Sequence, residues 1–238
     1  MIWQIKALDH AKTENPRECC GLIVIVNGKE RYWPCLNLST EEDQFILDPE
    51  SYADAEDEGE IVAVVHSHPN SEPVPSEADL VMIENTGLPW YIVNPNTEEW
   101  SEAIKPSGFK APLVGRQWVW NVTDCWTLVR DWYAEQGLEL IDFKRPSSSD
   151  EFNENPLFKQ SYESAGFVEL ELEEELEWGD SLLLSIGSPG LNHVAVFLGD
   201  GTVLHHAGNR LSSRDIYGGW LKKSTGLRLR NPSLRRRF

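Results

Sequence analysis

The sequence predicts a two-domain protein of mixed α/β and α+β class, and three observations carry that prediction. The chain has 238 residues, enough for one large or two small domains at roughly 100 to 200 residues each. Its charge is stepped: residues 1–108 hold 6 basic and 21 acidic side chains, net −15, and the remainder hold 15 and 18, net −3. Helix and strand patterns alternate through the first hundred residues around one mixed sheet, whereas the second half opens with a helix and continues with strands suited to an antiparallel sheet. The first domain is therefore assigned to residues 1–105 and the second to 115–238. The linker between them, 106–114, contains Pro106, Gly108 and Pro112 and has little periodicity.

Taken in order, Ile2, Ile5, Leu8 and His10-Ala11 are spaced as the apolar stripe of a helix that Glu14-Asn15-Pro16 stops. Residues 20–26 form a β-rich apolar run, Asn27-Gly28 is a strong hairpin turn, and residues 30–34 return. Phe45-Ile46-Leu47 reads as a short strand and residues 49–58 as an acidic helix. Residues 61–65 are continuously apolar, as in a buried strand, and lead into His66-Ser67-His68-Pro69. Ser76-Glu77-Ala78-Asp79 opens a further helix, and residues 88–93 make another strand. In the second half, Thr123-Asp124-Cys125 precedes a helical face of Trp126, Val129, Trp132 and Tyr133 that closes near Gly137. Residues 146–154 are polar and expected as a loop, with a helix over about 157–164 and an acidic stretch over 169–177. Strands follow at 181–185, 193–198 and 202–206, the last two joined at Asp200-Gly201.

Net charge −18 excludes a general nucleic-acid binder, which needs clustered positive charge against phosphate. The last 17 residues run against that trend with seven basic side chains, ending in Arg235-Arg236-Arg237, as a solvated tail or a docking segment. No signal peptide pattern opens the chain, and no run approaches the roughly 20 apolar residues of a membrane helix, so synthesis and folding in a cytoplasm are expected. The four cysteines Cys19, Cys20, Cys35 and Cys125 form neither a disulfide framework nor a CxxC pair.

Two constellations carry chemistry. His66 and His68 are two residues apart at a strand end, so both imidazoles point to one face. Seven residues intervene before Ser76, and Asp79 is three further on. Two imidazoles and a carboxylate leave an open position on a tetrahedral zinc, where a bound water loses its proton more easily. Glu18, just before the first core strand in Pro16-Arg17-Glu18-Cys19-Cys20-Gly21, is the candidate base; Ser76-x-x-Asp79 also reads as a helix capping box. These motifs, complete over about residues 1–105, resemble the JAMM (MPN+) metalloprotease family. The resemblance implies an MPN sheet, zinc on His66, His68 and Asp79, Glu18 as general acid/base, Ser76 stabilising the oxyanion, and hydrolysis of a peptide or isopeptide bond.

The second constellation centres on Cys125. At a helix start its thiolate is favoured by backbone N–H groups and the helix dipole. His193 follows 68 residues later as the candidate base, and His205 or His206 on the next strand supplies a third, orienting residue. Ungapped counting from His193 selects His205, whereas a flush two-residue turn at Asp200-Gly201 selects His206. We take His205. The order of Cys125, Trp178-Gly179-Asp180, His193 and His205 over about residues 115–220 resembles the NlpC/P60 cysteine peptidases. That implies a papain-like domain cleaving peptidoglycan stem peptides, with Cys125 as nucleophile. The small residue usual after the family's cysteine is Trp126 here.

The succession of the two domains, with the closing run from Leu204-His205-His206 to Gly219-Trp220, resembles the tail-tip assembly proteins of lambda-like bacteriophages. That resemblance implies other tail-tip proteins and stem peptides as partners, a place in the virion tail, and local murein hydrolysis at DNA entry. Two alternatives stay open: a structural tail-tip protein with vestigial sites, and a bacterial cytoplasmic isopeptidase whose second domain binds a modifier.

Overall fold

A computed structural model describes residues 1–146, 148–171 and 173–235 and divides the chain into two compact units, Met1–Lys110 and Ala111–Phe238. The first unit runs α1 (Ile2–Glu14), β1 (Cys20–Val26), β2 (Lys29–Cys35), α2 (Pro49–Glu58), β3 (Glu60–Ser67), α3 (Glu77–Thr86) and β4 (Trp90–Val93). Its mixed sheet has the order β2-β1-β3-β4, with β3 and β4 parallel and the other pairs antiparallel. Asn27 and Gly28 both take positive φ, 51° and 74°, as a two-residue hairpin turn requires, and this pairs Val26 with Lys29.

Two expectations for this unit change. In α1 the buried side chains are Trp3, Ala7 and Ala11, while Ile2 and Ile5 are 79% and 64% exposed. The small alanines allow close approach to the sheet, and Trp3 packs on Tyr91 and Trp100 at 5.0 and 5.6 Å between ring centroids. Phe45-Ile46-Leu47 does not form a strand beyond an isolated bridge between Asn37 and Leu47. The Asn37 amide satisfies this loop instead, donating to the Glu18 and Gln44 carbonyls and accepting from the Ser39 and Ile46 N–H groups.

The second unit runs α4 (Cys125–Glu135), α5 (Ser149–Glu154), α6 (Phe158–Ser161), β5 (Val168–Glu169), β6 (Ser181–Leu184), β7 (His193–Phe197), β8 (Thr202–His205), β9 (Ser213–Ile216), α7 (Gly219–Ser224) and β10 (Thr225–Arg230). Its antiparallel sheet has the order β5-β10-β6-β7-β8-β9. Cys125, Leu128, Val129 and Tyr133 of α4 share one buried cluster with Leu183, Val194, Val196 and Leu204 of the sheet. The segment expected as a loop over 146–154 contains α5: the Ser148 hydroxyl accepts from the Glu151 N–H, and Phe152 is buried. Ser147 and Leu172 lie outside the described residues, as do Arg236 and Arg237 of the basic tail. No helix among the described residues is long and apolar enough to cross a membrane.

Candidate active sites

The first site is assembled by strand register. Cys20 pairs with His66 across β1 and β3, and carrying that antiparallel line outward sets Glu18 opposite His68. The Cys19 N–H donates to the Ser67 hydroxyl and the Ser67 N–H to the Cys19 carbonyl, which holds the two segments together past the strand end. His66 is walled by Phe45 and Trp90, with ring centroids 4.9 and 5.4 Å away. Asp79 arrives from the first turn of α3, where Ser76 and Asp79 form a reciprocal capping box: the Ser76 hydroxyl accepts from the Asp79 N–H at 3.1 Å, and the Ser76 N–H donates to Asp79 Oδ2 at 2.7 Å.

The donor atoms converge. His66 Nε2 and His68 Nε2 are 3.0 Å apart, and they stand 3.3 and 3.4 Å from Asp79 Oδ1 and Oδ2 respectively. Ligands about 2.0 to 2.1 Å from a tetrahedral zinc stand about 3.3 Å apart, so this buried set fits the ion. The His68 Nδ1–H donates to the Glu72 carbonyl at 3.2 Å, so in the neutral ring, the form that binds metal, Nε2 carries the bare lone pair. His66 Nδ1 is buried without a hydrogen-bond partner among the described residues.

The carboxylates differ in environment. Burial pushes Glu18 up to about 7, partly offset by His66 and His68, and its Oε1 lies 3.8 Å from His68 Nε2. Burial also works against ionised Asp79, but the two imidazoles and the Ser76 hydroxyl outweigh it and hold the group well below the usual carboxylate range. For His68 burial opposes the charged ring; Asp79 and Glu18 outweigh it and raise its pKa. The Ser76 hydroxyl, expected at an oxyanion, donates here to Asp79 Oδ2 at 2.7 Å.

In the second site Asp124 caps α4, accepting the Thr127 and Asn121 N–H groups at 3.0 and 2.9 Å, with Arg145 3.4 Å from its carboxylate. This places Cys125 at the helix start against β7, where the Val194 N–H meets the sulfur. Among the described residues the sulfur has no hydrogen bond to the His193 ring. His193 Nε2 lies 3.1 Å from His205 Nδ1. His206 turns away, its Nε2–H donating to the Arg210 carbonyl at 3.0 Å. The turn explains the selection: Ala195 pairs with His205, and the Leu198 N–H donates to the Thr202 carbonyl. The connection is therefore the three residues Gly199-Asp200-Gly201, with both glycines at φ +80°, rather than Asp200-Gly201 alone. The extra residue keeps His205 on the face of His193.

The expected low-pKa thiolate is not what the structure shows. Cys125 and His193 are each 5% exposed. Burial pushes the thiol up to about 12, the adjacent Asp124 adds to this, and the Val194 N–H opposes it. Burial likewise pushes His193 down to about 3, reinforced by His205 and His206. Desolvation outweighs the helix N-terminus, so burial favours the neutral form of both the thiol and the imidazole. One neighbour was absent from the sequence reading: Asp215 Oδ2 lies 2.8 Å from His205 Nε2. The only sequence signal for it was alternation along Ser213-Arg214-Asp215, and this points to His205 only once the β8–β9 register is known.

Comparison with known proteins agrees with both halves. Residues 3–104 match the prokaryotic homologs of the JAB domain, and residues 115–230 match the NlpC/P60 family. Tail tip assembly protein K of Escherichia phage N15 is 37% identical over 224 residues, covering 91% of this chain and 88% of the phage protein. The chain belongs to the tail tip assembly protein K family. Its counterpart in Escherichia phage lambda is 38% identical over 171 residues, 72% of this chain and 82% of that protein. Among solved structures, a JAB1/MPN domain protein from Archaeoglobus fulgidus is similar at 21% identity and a TM-score of 0.31, over 46% of this chain and 87% of its own. The two family matches make the K-family chain a two-domain protein, a JAB/MPN-like fold followed by an NlpC/P60 domain.

Proposed function

We propose that this K-family chain is a virion tail-tip component, made in the host cytoplasm, whose second domain hydrolyses peptidoglycan stem peptides and whose first domain is a zinc peptidase acting in tail assembly or processing. The observation that carries the murein reading is the Cys125 helix start packed on β7, with His193 hydrogen-bonded to His205. In this mechanism the Cys125 proton passes to His193 as the sulfur attacks the stem-peptide carbonyl. The imidazolium then protonates the leaving amine, and water releases the acyl group. Because the resting thiol is protonated and buried, the nucleophile forms only as that proton transfers.

In the first domain His66, His68 and Asp79 would hold the ion. When bound, zinc supplies Lewis acidity and a water that ionises near neutral pH. Glu18, with a pKa of about 7, is suited to take up a proton and return it to a leaving amine. Ser76 orients Asp79; the oxyanion role implied by the family resemblance requires its hydroxyl to exchange partners.

The test is mass spectrometry of fragments released from purified Gram-negative sacculi by this protein and by its Cys125→Ala variant. Stem-peptide fragments that depend on Cys125 are expected and would name the bond cleaved. The burial of both Cys125 and His193 favours one second reading, a structural tail-tip role, and equal absence of release from both proteins, alone and in assembled tails, would establish it.

A further inference from the structure

His193, His205 and Asp215 stand on three adjacent strands and on one face of the sheet. His205 pairs directly with Ala195 of β7 and with Ser213 of β9. His193 and Asp215 each lie two residues from those partners, so they are same-face diagonal neighbours of His205 on its two sides. The line of contacts runs from His193 Nε2 to His205 Nδ1 at 3.1 Å and from His205 Nε2 to Asp215 Oδ2 at 2.8 Å. The Ser213 hydroxyl donates to the same carboxylate oxygen at 3.3 Å, and the Trp220 ring lies 6.4 Å from that of His205.

The chemistry of these groups orders the protons along the line. An ionised carboxylate only accepts hydrogen bonds, so His205 Nε2 must carry a hydrogen, and in the neutral ring Nδ1 is then bare. A bare Nδ1 accepts, so the donor must be the Nε2–H of His193. His193 is neutral because its burial disfavours the cation, and its Nδ1 is therefore also bare. That is the nitrogen left to take the Cys125 proton. We propose that Asp215 is a positioning residue which, through His205, holds His193 in the tautomer competent to act as base. The inference rests on reading the second domain as a thiol peptidase, but its structural content concerns protons that can be observed without substrate. When Cys125 gives its proton to His193 Nδ1, the imidazolium keeps its Nε2–H bond to His205, and the carboxylate at the far end stabilises the positive charge that forms.

The experiment is a long-range proton–nitrogen correlation spectrum of the full chain labelled with 15N-histidine near pH 7.5, with assignments from His193→Gln and His205→Gln. The wild type is expected to show hydrogen on Nε2 and none on Nδ1 in both rings. In Asp215→Asn the side-chain amide can donate to His205 Nε2 and reverse the line, so a His193 population protonated on Nδ1 is expected. Asp215→Glu is expected to restore the wild-type pattern. On sacculi, Asp215→Asn is expected to lower kcat by about 100-fold or more with KM within about threefold, as loss of the correct tautomer does in a triad. A wild-type His193 protonated on Nδ1 overturns the proposal, and so does an identical tautomer in wild type and Asp215→Asn. Should Asp215→Asn fail to fold, the wild-type spectrum still decides. If the wild type releases nothing from sacculi either alone or in assembled tails, the peptidase reading falls, while the spectrum judges the role of Asp215 separately.

Discussion

At the scale of the residue, both sites depend on what burial does to charge. His193 titrates near 3 in the folded protein, against 6.5 for a free ring, with burial the main cause and His205 and His206 adding to it. Above pH 6.5 neither state binds the proton, so the ring is stability-neutral there. Between pH 6.5 and about 3 the unfolded chain takes up a proton that the folded chain refuses, so stability falls as pH is lowered. The slope from this one group reaches up to about 1.4 kcal/mol per pH unit. In His193→Gln the acid limb of the stability curve should therefore be shallower than in the wild type. Urea titrations at pH 7.5, 5.5 and 4.5, read by tryptophan fluorescence, would measure the two slopes; parallel limbs would refute a buried neutral His193. At pH 7.5 the native thiol should label far more slowly than in urea, because burial holds it protonated.

At the scale of the element, the second site depends on the register of one hairpin. With Gly199-Asp200-Gly201 as the connection, His205 faces His193 and His206 contacts the Arg210 carbonyl. Deleting Asp200 leaves Gly199-Gly201 as a two-residue turn that still sets Leu198 opposite Thr202, so the deletion is expected to keep the His193–His205 pair and release from sacculi. Deleting Thr202 instead sets Val203 opposite Leu198 and moves each β8 side chain to the opposite face, with His206 in place of His205 beside His193. Its stability should fall, because Val203 and Leu204 exchange the clusters they fill on the two faces of the sheet. Urea titration of both variants checks this; a folded Asp200 deletion without hydrolysis, or a Thr202 deletion as stable as the wild type, would show that register does not control the site. This dependence explains what was legible in the sequence. The Asn27-Gly28 hairpin, the strand leading into His66 and His68, and the Ser76–Asp79 cap each follow from local spacing, and the structure places them accordingly. Asp215 was not legible, because its position depends on the registers of three strands at once. The loop around Phe45 was misread because its backbone groups are satisfied by the distant Asn37 amide. The α1 face differs from the expected stripe because Trp3 and Ala7, rather than Ile2 and Ile5, are buried in one cluster with Ile23, Tyr32, Ala63 and Val65 of the sheet.

At the scale of the whole molecule, the charge step and the metal donors fall in the same unit. Residues 1–108 carry net −15, and self-repulsion on that scale weakens a compact state. A divalent cation bound to His66, His68 and Asp79 adds positive charge within that unit and ties the end of β3 to the start of α3. Binding to the folded state alone adds stability by mass action, about 4 kcal/mol at a free concentration 1,000 times Kd. The chain as purified is expected to contain one zinc per molecule, lost in His68→Ala. Chelation should lower hydrogen-exchange protection in peptides covering β3 and α3 and leave peptides covering α4 and β7 unchanged, because every donor atom belongs to the first unit. Metal analysis together with exchange mass spectrometry, with and without chelator, would check both expectations. Stoichiometric zinc persisting in His68→Ala would remove the ligand assignment. An equal loss of protection in both units would instead show that the ion stabilises the chain through something other than the His66, His68 and Asp79 set.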